Sequence, residues 1–233
     1  MNMKQIILKI VLNALAAGFA LGGALWYYIR ELFVSYDVAP GTLNLYFTVN
    51  SNIFLGFSSI IAIVFFVLQL VKGYKVPKWV TVLRFMSTVS VGITFFTVVF
   101  FLTPSLAVSP EYGWYGVYFY LYRNSNYFMH VASPIFAMVS FLLLEIDNPL
   151  KFKSTILPAI PVSIYTAVYM SLVFITKDMK YDLYGYAHTI DSDEFQIGRA
   201  IISLIVMPVL TYGFSCLIWF INKLRYQSVN KIK

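Results

Sequence analysis

Apolar residues run on for about 20 positions or more at a time along this chain, and each run is broken by a short polar or turn-forming stretch. A run of that length is what one α-helix needs to cross the roughly 30 Å hydrocarbon core of a bilayer. The pattern predicts six spans, at Ile6 to Phe33, Asn44 to Val71, Trp79 to Leu102, Ser125 to Leu144, Thr155 to Thr176 and Ala200 to Asn222. Separators include Asp37-Val38-Ala39-Pro40-Gly41, the stretch from Lys72 to Lys78, and Asp147-Asn148-Pro149. A backbone in lipid must satisfy its own hydrogen bonds, and a membrane barrel would show alternating strands of about ten residues instead of continuous runs. The expected fold is therefore all-α, an integral membrane bundle of six transmembrane helices. Residues 1–233 are expected to form a single transmembrane domain, the six spans leaving no room among them for a second, soluble one.

Composition agrees. Hydrophobic residues make up 60% of the chain and charged residues 12%, with a mean hydropathy of +0.76. A water-soluble domain is nearer 45–50% apolar and about 25% charged. The net charge of +7 does not point to nucleic acid, because Lys and Arg sit in short clusters between the apolar runs. They read as topology signals. Twelve lie on one side of the predicted bundle, among them Lys4, Lys9, Lys72, Arg84, Lys151 and Lys223. Five lie on the other: Arg30, Arg123, Lys177, Lys180 and Arg199. Positive loops stay in the cytoplasm, so both termini are expected there, and the expected location is the cell membrane.

The first apolar stretch is too long for a signal-peptide core and lacks a small-residue cleavage site, so a retained helix is expected. Ala14, Gly18 and Gly22 recur every fourth residue in it, a spacing that lets another helix approach closely. The lone Cys216 excludes an intramolecular disulfide framework and a Cys-based metal site. Glu145 and Asp147, beside Lys151 and Lys153, read as an exposed interfacial charge cluster. His188, Asp191, Asp193 and Glu194 lack the spacing of a calcium loop or the ligands of a zinc site, and read as a solvated loop. The aromatic stretch from Tyr112 to Tyr127 either lies along the outer membrane surface or packs on the bundle.

Polar residues inside a membrane are costly, so their placement is the best functional clue in such a chain. Two clusters stand out, Tyr46-Phe47-Thr48-Val49-Asn50-Ser51-Asn52 in the second span and Asn124 to Pro134 in the fourth. Thr48, Ser51 and Asn52 share one helix face by their i, i+3, i+4 spacing. Asn126 and His130 are four apart, and Pro134 follows one turn later, where its missing N–H opens the backbone. Thr48 and His130 are each expected roughly 6–8 Å inside the outer ends of their spans. A threonine hydroxyl becomes a nucleophile when a base takes its proton, and a neutral imidazole is the usual base near pH 7. Asn50, Asn52 or Asn126 then orients the imidazole or donates to a developing oxyanion. The blander alternatives stand beside this one: a Thr48 hydroxyl bonding back to its own helix, a packing His130, and Asn50, Ser51 and Asn52 as interhelical glue.

The stretches Tyr46 to Asn52 and Asn126 to Pro134 resemble the family of androgen-induced and androgen-dependent TFPI-regulating membrane proteins, especially its bacterial relatives. Animal members are six-helix transmembrane threonine hydrolases of fatty acid esters of hydroxy fatty acids. The resemblance implies Thr48 as nucleophile and His130 as general base; Ser51, Asn52 and Pro134 match the pattern without an implied role. The expected activity is hydrolysis of a membrane-dissolved lipid ester, with no cofactor and no metal, and with membrane lipids and an apolar ester as the molecules it meets. No protein partner is legible. Two other readings stay open: a lipid or small-molecule transporter using the same polar pocket without catalysis, and a sensor or assembly protein binding through its outer aromatic loop. An absence of charge deep in the helices, and of visible repeats, speaks against the transporter.

Overall fold

In the computed structural model the described residues are 3–31, 33, 45–108, 110, 113–177, 188–189 and 192–231. Six helical segments are long and apolar enough to cross a membrane: Met3–Arg30, Phe47–Lys72, Lys78–Ala107, Ser125–Leu143, Phe152–Thr176 and Ile197–Val229. The chain is an all-α, multi-pass membrane bundle, and an even number of crossings puts its two ends on the same side. The only strands among the described residues are β1, His188–Thr189, and β2, Ser192–Phe195, a short antiparallel pair between the last two spans. Phe195 of that pair stands edge-on to Phe174 of the fifth span, 5.3 Å between ring centroids.

Local chemistry sets the ends of the spans. Gly73 closes the second span in the left-handed region at φ 67°, donating its N–H to the Gln69 carbonyl at 3.1 Å. Pro77 then precedes the third span, whose first turn needs no donor there. The second span starts at Phe47, three residues later than the apolar run suggests, because Tyr46 holds an extended ψ of 119°. Thr48 consequently sits in the first turn of its helix rather than 6 Å inside it.

Spans one to four pack as a core around the third, the most buried of the six, and the fifth and sixth pair with each other and dock through the sixth. The first helix turns Ala16, Ala17, Ala20, Gly23 and Ala24 inward. The expected contact stripe is on the wrong face: Ala14, Gly18 and Gly22 are exposed, and nothing lies within 4 Å of a Cβ built on Gly18 or Gly22. The spacing was right for a close approach but the neighbouring positions make it. Gly23 is one of these, where a Cβ would meet Met129 at 3.0 Å, and Gly56 of the second span is another, where it would lie 2.3 Å from Leu21 Cγ. Gly56→Ala is expected to cost about 1–3 kcal/mol through overpacking, read as a lower unfolding temperature in detergent. Gly18→Ala, with open space around it, is expected to leave that temperature unchanged.

At the end of the bundle that carries the termini lies a buried ionic cluster. The Glu145 and Asp147 expected at the surface are part of it, which corrects the reading of an exposed group beside Lys151 and Lys153. Arg84, fully buried, donates from Nε to Glu145 Oε2 and from Nη2 to Oε1, each at 3.2 Å, and from Nη1 to Ser59 at 2.8 Å. Glu145 also accepts from Asn13 at 3.0 Å and Ser140 at 2.8 Å. Lys9, also fully buried, pairs with Asp147, which accepts from Gln69 as well. Lys9 and Arg84 are thus structural ions rather than topology signals, and the bundle does hold charge among its helices. The cluster joins the first four spans at one end and leaves the other end to be shaped by different residues.

Candidate functional site

At the far end of the bundle, residues from all six spans and from the 117–122 segment line a half-open cavity of about 790 Å³. That volume lies within the usual range for small-molecule sites, roughly 300–1,000 Å³. Of the residues singled out in the sequence, Thr48, Asn126 and His130 line it; Asn50, Ser51, Asn52 and Pro134 do not. Much of the remaining wall is apolar, including Ile93, Val98, Leu102, Met129 and Met207, interrupted by Thr94, Thr97 and Thr166.

His130 sits in a π-helical turn, Phe128–Ala132, and that turn has a covalent cause. Proline at 134 lacks an N–H and its ring clashes with the carbonyl four residues back, which is that of His130. The ladder widens, and the Ser133 N–H bonds to the Phe128 carbonyl, five residues back. The Met129 carbonyl would next need the N–H of Pro134, which does not exist. Asn52 supplies the donor instead, from Nδ2 at 3.1 Å. The same amide donates to the Thr48 carbonyl at 2.8 Å, and its Oδ1 accepts from Ser133 Oγ. One fully buried side chain thereby ties the backbone of Thr48 to the backbone beside His130. Ser51 helps from the same helix, bonding the Thr48 carbonyl at 3.1 Å and Thr94 Oγ1 at 3.3 Å. Ser51 and Asn52 are therefore interhelical ties behind the cavity, and neither is an oxyanion donor within it.

The aromatic stretch packs on the bundle along one side and leaves the other side exposed. Trp114, Tyr115 and Tyr118 are exposed, while Val117 and Leu121 are buried against the bundle. Its π-helical turn, Val117–Tyr122, delivers the Leu121 carbonyl to His130 Nδ1 at 2.8 Å. A carbonyl only accepts, so Nδ1 carries the proton, and in the neutral ring Nε2 keeps its lone pair. Asn126 anchors the same stretch by donating to the Tyr120 carbonyl at 2.6 Å, so its amide is engaged there and does not orient the imidazole. The Leu121 acceptor left no mark in the sequence, since any residue supplies a carbonyl.

Thr48 is half-buried, and among the described residues its hydroxyl has no hydrogen-bond partner, including in its own helix. Neither Thr48 Oγ1 nor His130 Nε2 is among the fully buried unpaired polar atoms, so both retain access to the cavity they line. They are not directly hydrogen-bonded to each other. Thr48 also stands at the N-terminus of its helix, where the Val49 and Asn50 N–H groups turn back to the Tyr46 carbonyl at 3.1 and 3.2 Å. The first-turn N–H of Thr48 has no place in the helix ladder, and it adds to the positive end of the helix dipole.

Sequence reasoning gave the polar rim of the cavity no role in the site. Arg30 and Glu31 at the end of the first span, Tyr27 and Tyr46, Tyr165 of the fifth span and Arg199 of the sixth all line it. Tyr165 donates to the Leu45 carbonyl, and Glu31 lies 3.7 Å from Arg30 Nε. Their sequence signal was charge and aromaticity at the outer ends of spans, which topology alone explains. The side chains of His188, Asp193 and Glu194, and all of Asp191, lie outside the described residues. No protein-family model matches the chain, and no curated protein or solved structure matches it either.

Proposed function

We propose that this chain is an intramembrane hydrolase of lipid esters, resident in the cell membrane, with Thr48 as nucleophile and His130 as general base. The observation that carries the reading is that these two side chains, from different spans, line one largely apolar cavity with the hydroxyl unpaired and one imidazole nitrogen left over. The resemblance of the two motif stretches to the transmembrane threonine hydrolases supports it independently.

In the reaction, the ester carbonyl carbon seats against Thr48 Oγ1, and Thr48 Oγ1 and His130 Nε2 close to hydrogen-bond distance as the substrate binds. His130 Nε2 takes the proton of Thr48 Oγ1 as the oxygen bonds to the acyl carbon. The Thr48 N–H, at the positive end of its helix, is the nearest donor for the oxyanion. Collapse breaks the bond to the leaving alcohol oxygen, which receives the proton from His130, and leaves an acyl ester on Thr48. Water then attacks that ester, passes its proton through His130 to Thr48 Oγ1, and releases the carboxylic acid.

Hydrolysis run in ¹⁸O-water tests this directly: the acid released from a lipid ester by the purified protein is expected to carry the label and the alcohol to carry none. Absence of turnover across a panel of long-chain esters, or label in the alcohol, contradicts it. Asn52 is a positioning residue in this scheme. Asn52→Leu is expected to lower kcat by about 10²-fold with little change in KM, because a shift of about 1 Å between the reacting groups has that effect. An equal change in KM alone would mean that Asn52 shapes the pocket and not the alignment.

The transporter reading gains one observation, since the ionic cluster of Lys9, Arg84, Glu145 and Asp147 is buried among the helices. Its carboxylates are each paired with a cation of the same cluster, the arrangement of a structural clamp. Ligand movement across liposomes without bond cleavage is the result that favours the transporter.

A further inference from the structure

We propose that Thr97 is a second catalytic threonine of this site, the side-chain donor to the oxyanion that forms when Thr48 attacks the ester. The inference rests on the hydrolase reading and adds to it a group that receives the developing charge. Ser51 Oγ and Thr94 Oγ1 meet at 3.3 Å between the second and third spans. Those spans run in opposite directions, so the next turn toward the cavity end is Thr48 on one and Thr97 on the other. Each lies three residues, about 4.5 Å, beyond the bonded pair. Both side chains line the cavity. A threonine in a membrane helix commonly donates its proton back to the carbonyl four residues earlier. Thr94, Thr166 and Thr211 do so, to Ser90, Val162 and Met207, although Thr94 and Thr166 line the same cavity. Thr97 makes no such bond to Ile93 and has no other hydrogen-bond partner among the described residues. It is half-buried, and its oxygen is not among the sealed, unpaired ones, so the donor is both uncommitted and accessible. Ile93 and Val98 beside it in the wall are apolar, and a donor aimed at developing charge is worth more in such surroundings than in water. Thr97 keeps its proton throughout. It donates to the carbonyl oxygen, beside the Thr48 N–H, while that oxygen carries the negative charge, and no bond to carbon forms.

Steady-state hydrolysis of 4-nitrophenyl palmitate by the purified protein in neutral detergent tests the assignment. Thr97→Val keeps the shape and loses only the hydroxyl. It is expected to lower kcat by about 10²-fold with KM within about twofold, the mark of a contact made in the transition state and not in the bound substrate. Its unfolding temperature should match that of the unaltered protein, since the hydroxyl holds no other group. Thr97→Ser retains a donor and is expected to keep most of the rate, while Thr97→Ala is expected to be as slow as Thr97→Val. Full kcat in Thr97→Val, or a raised KM with kcat unchanged, overturns the role. So does a Thr97→Ser variant as slow as Thr97→Ala, a comparison that decides the matter even where valine disturbs packing. Thr48→Ala, assayed alongside, separates the two claims. Turnover abolished by Thr48→Ala and indifferent to Thr97→Val removes Thr97 alone. An unaltered protein without turnover, or turnover untouched by Thr48→Ala, removes the hydrolase reading and the role of Thr97 with it.

Discussion

Replacing Thr48 by alanine is expected to lower lipid-ester hydrolysis by about 10³-fold or more, to the level of the uncatalysed reaction in the same detergent. The variant removes the attacking oxygen and little else, because the hydroxyl makes no hydrogen bond among the described residues. The ties to Asn52 and Ser51 run through the Thr48 backbone carbonyl and survive the change. Unfolding temperature should accordingly stay close to that of the unaltered protein. His130→Ala is expected to lose activity on a similar scale, and the double variant to be no worse than the more damaged single one, since a nucleophile and its base act as a unit. Thr48→Ser keeps the oxygen and should keep measurable turnover. Additive losses in the double variant would mean that the two residues serve separate steps.

The second large effect concerns stability. Arg84→Met is expected to destabilise the bundle by about 3–5 kcal/mol, because it leaves the Glu145 carboxylate buried without its main cation. The remaining donors, Asn13 and Ser140, are neutral. Arg84→Met/Glu145→Leu should recover much of the loss, since removing both charges removes the uncompensated one. Thermal unfolding in detergent reads both variants. A single variant as stable as the unaltered protein would show that the cluster is hydrated and holds nothing together. The cluster and the cavity lie at opposite ends of the spans, so hydrolysis per folded molecule tells a stability effect from a site effect.

The membrane bundle was legible because lipid imposes length and continuity on every span, and both are properties of local sequence. Thr48 and His130 were legible for a related reason, as polar groups where polar groups are expensive. What escaped was pairing between distant positions. Lys9 and Asp147 are 138 residues apart, and nothing local distinguishes a buried lysine near a helix end from a cytoplasmic anchor. A trace existed in the third span, where Arg84, Ser87 and Thr88 share one face by their spacing, and all three are buried. The small-residue stripe of the first helix misled because Ala14, Gly18 and Gly22 and the inward Ala16, Ala20 and Gly23 have nearly the same periodicity, and only packing chooses between them. Pro134 was read correctly as a break in the ladder. That Asn52 mends the break needed the second and fourth spans in contact.

Covalent capture is the most direct measurement of the central claim. A long-chain fluorophosphonate, incubated with the purified protein and followed by peptide mass spectrometry, is expected to attach at Thr48, and His130→Ala is expected to suppress that attachment. Labelling that falls on another residue, or that proceeds on Thr48 equally well without the imidazole, contradicts the account.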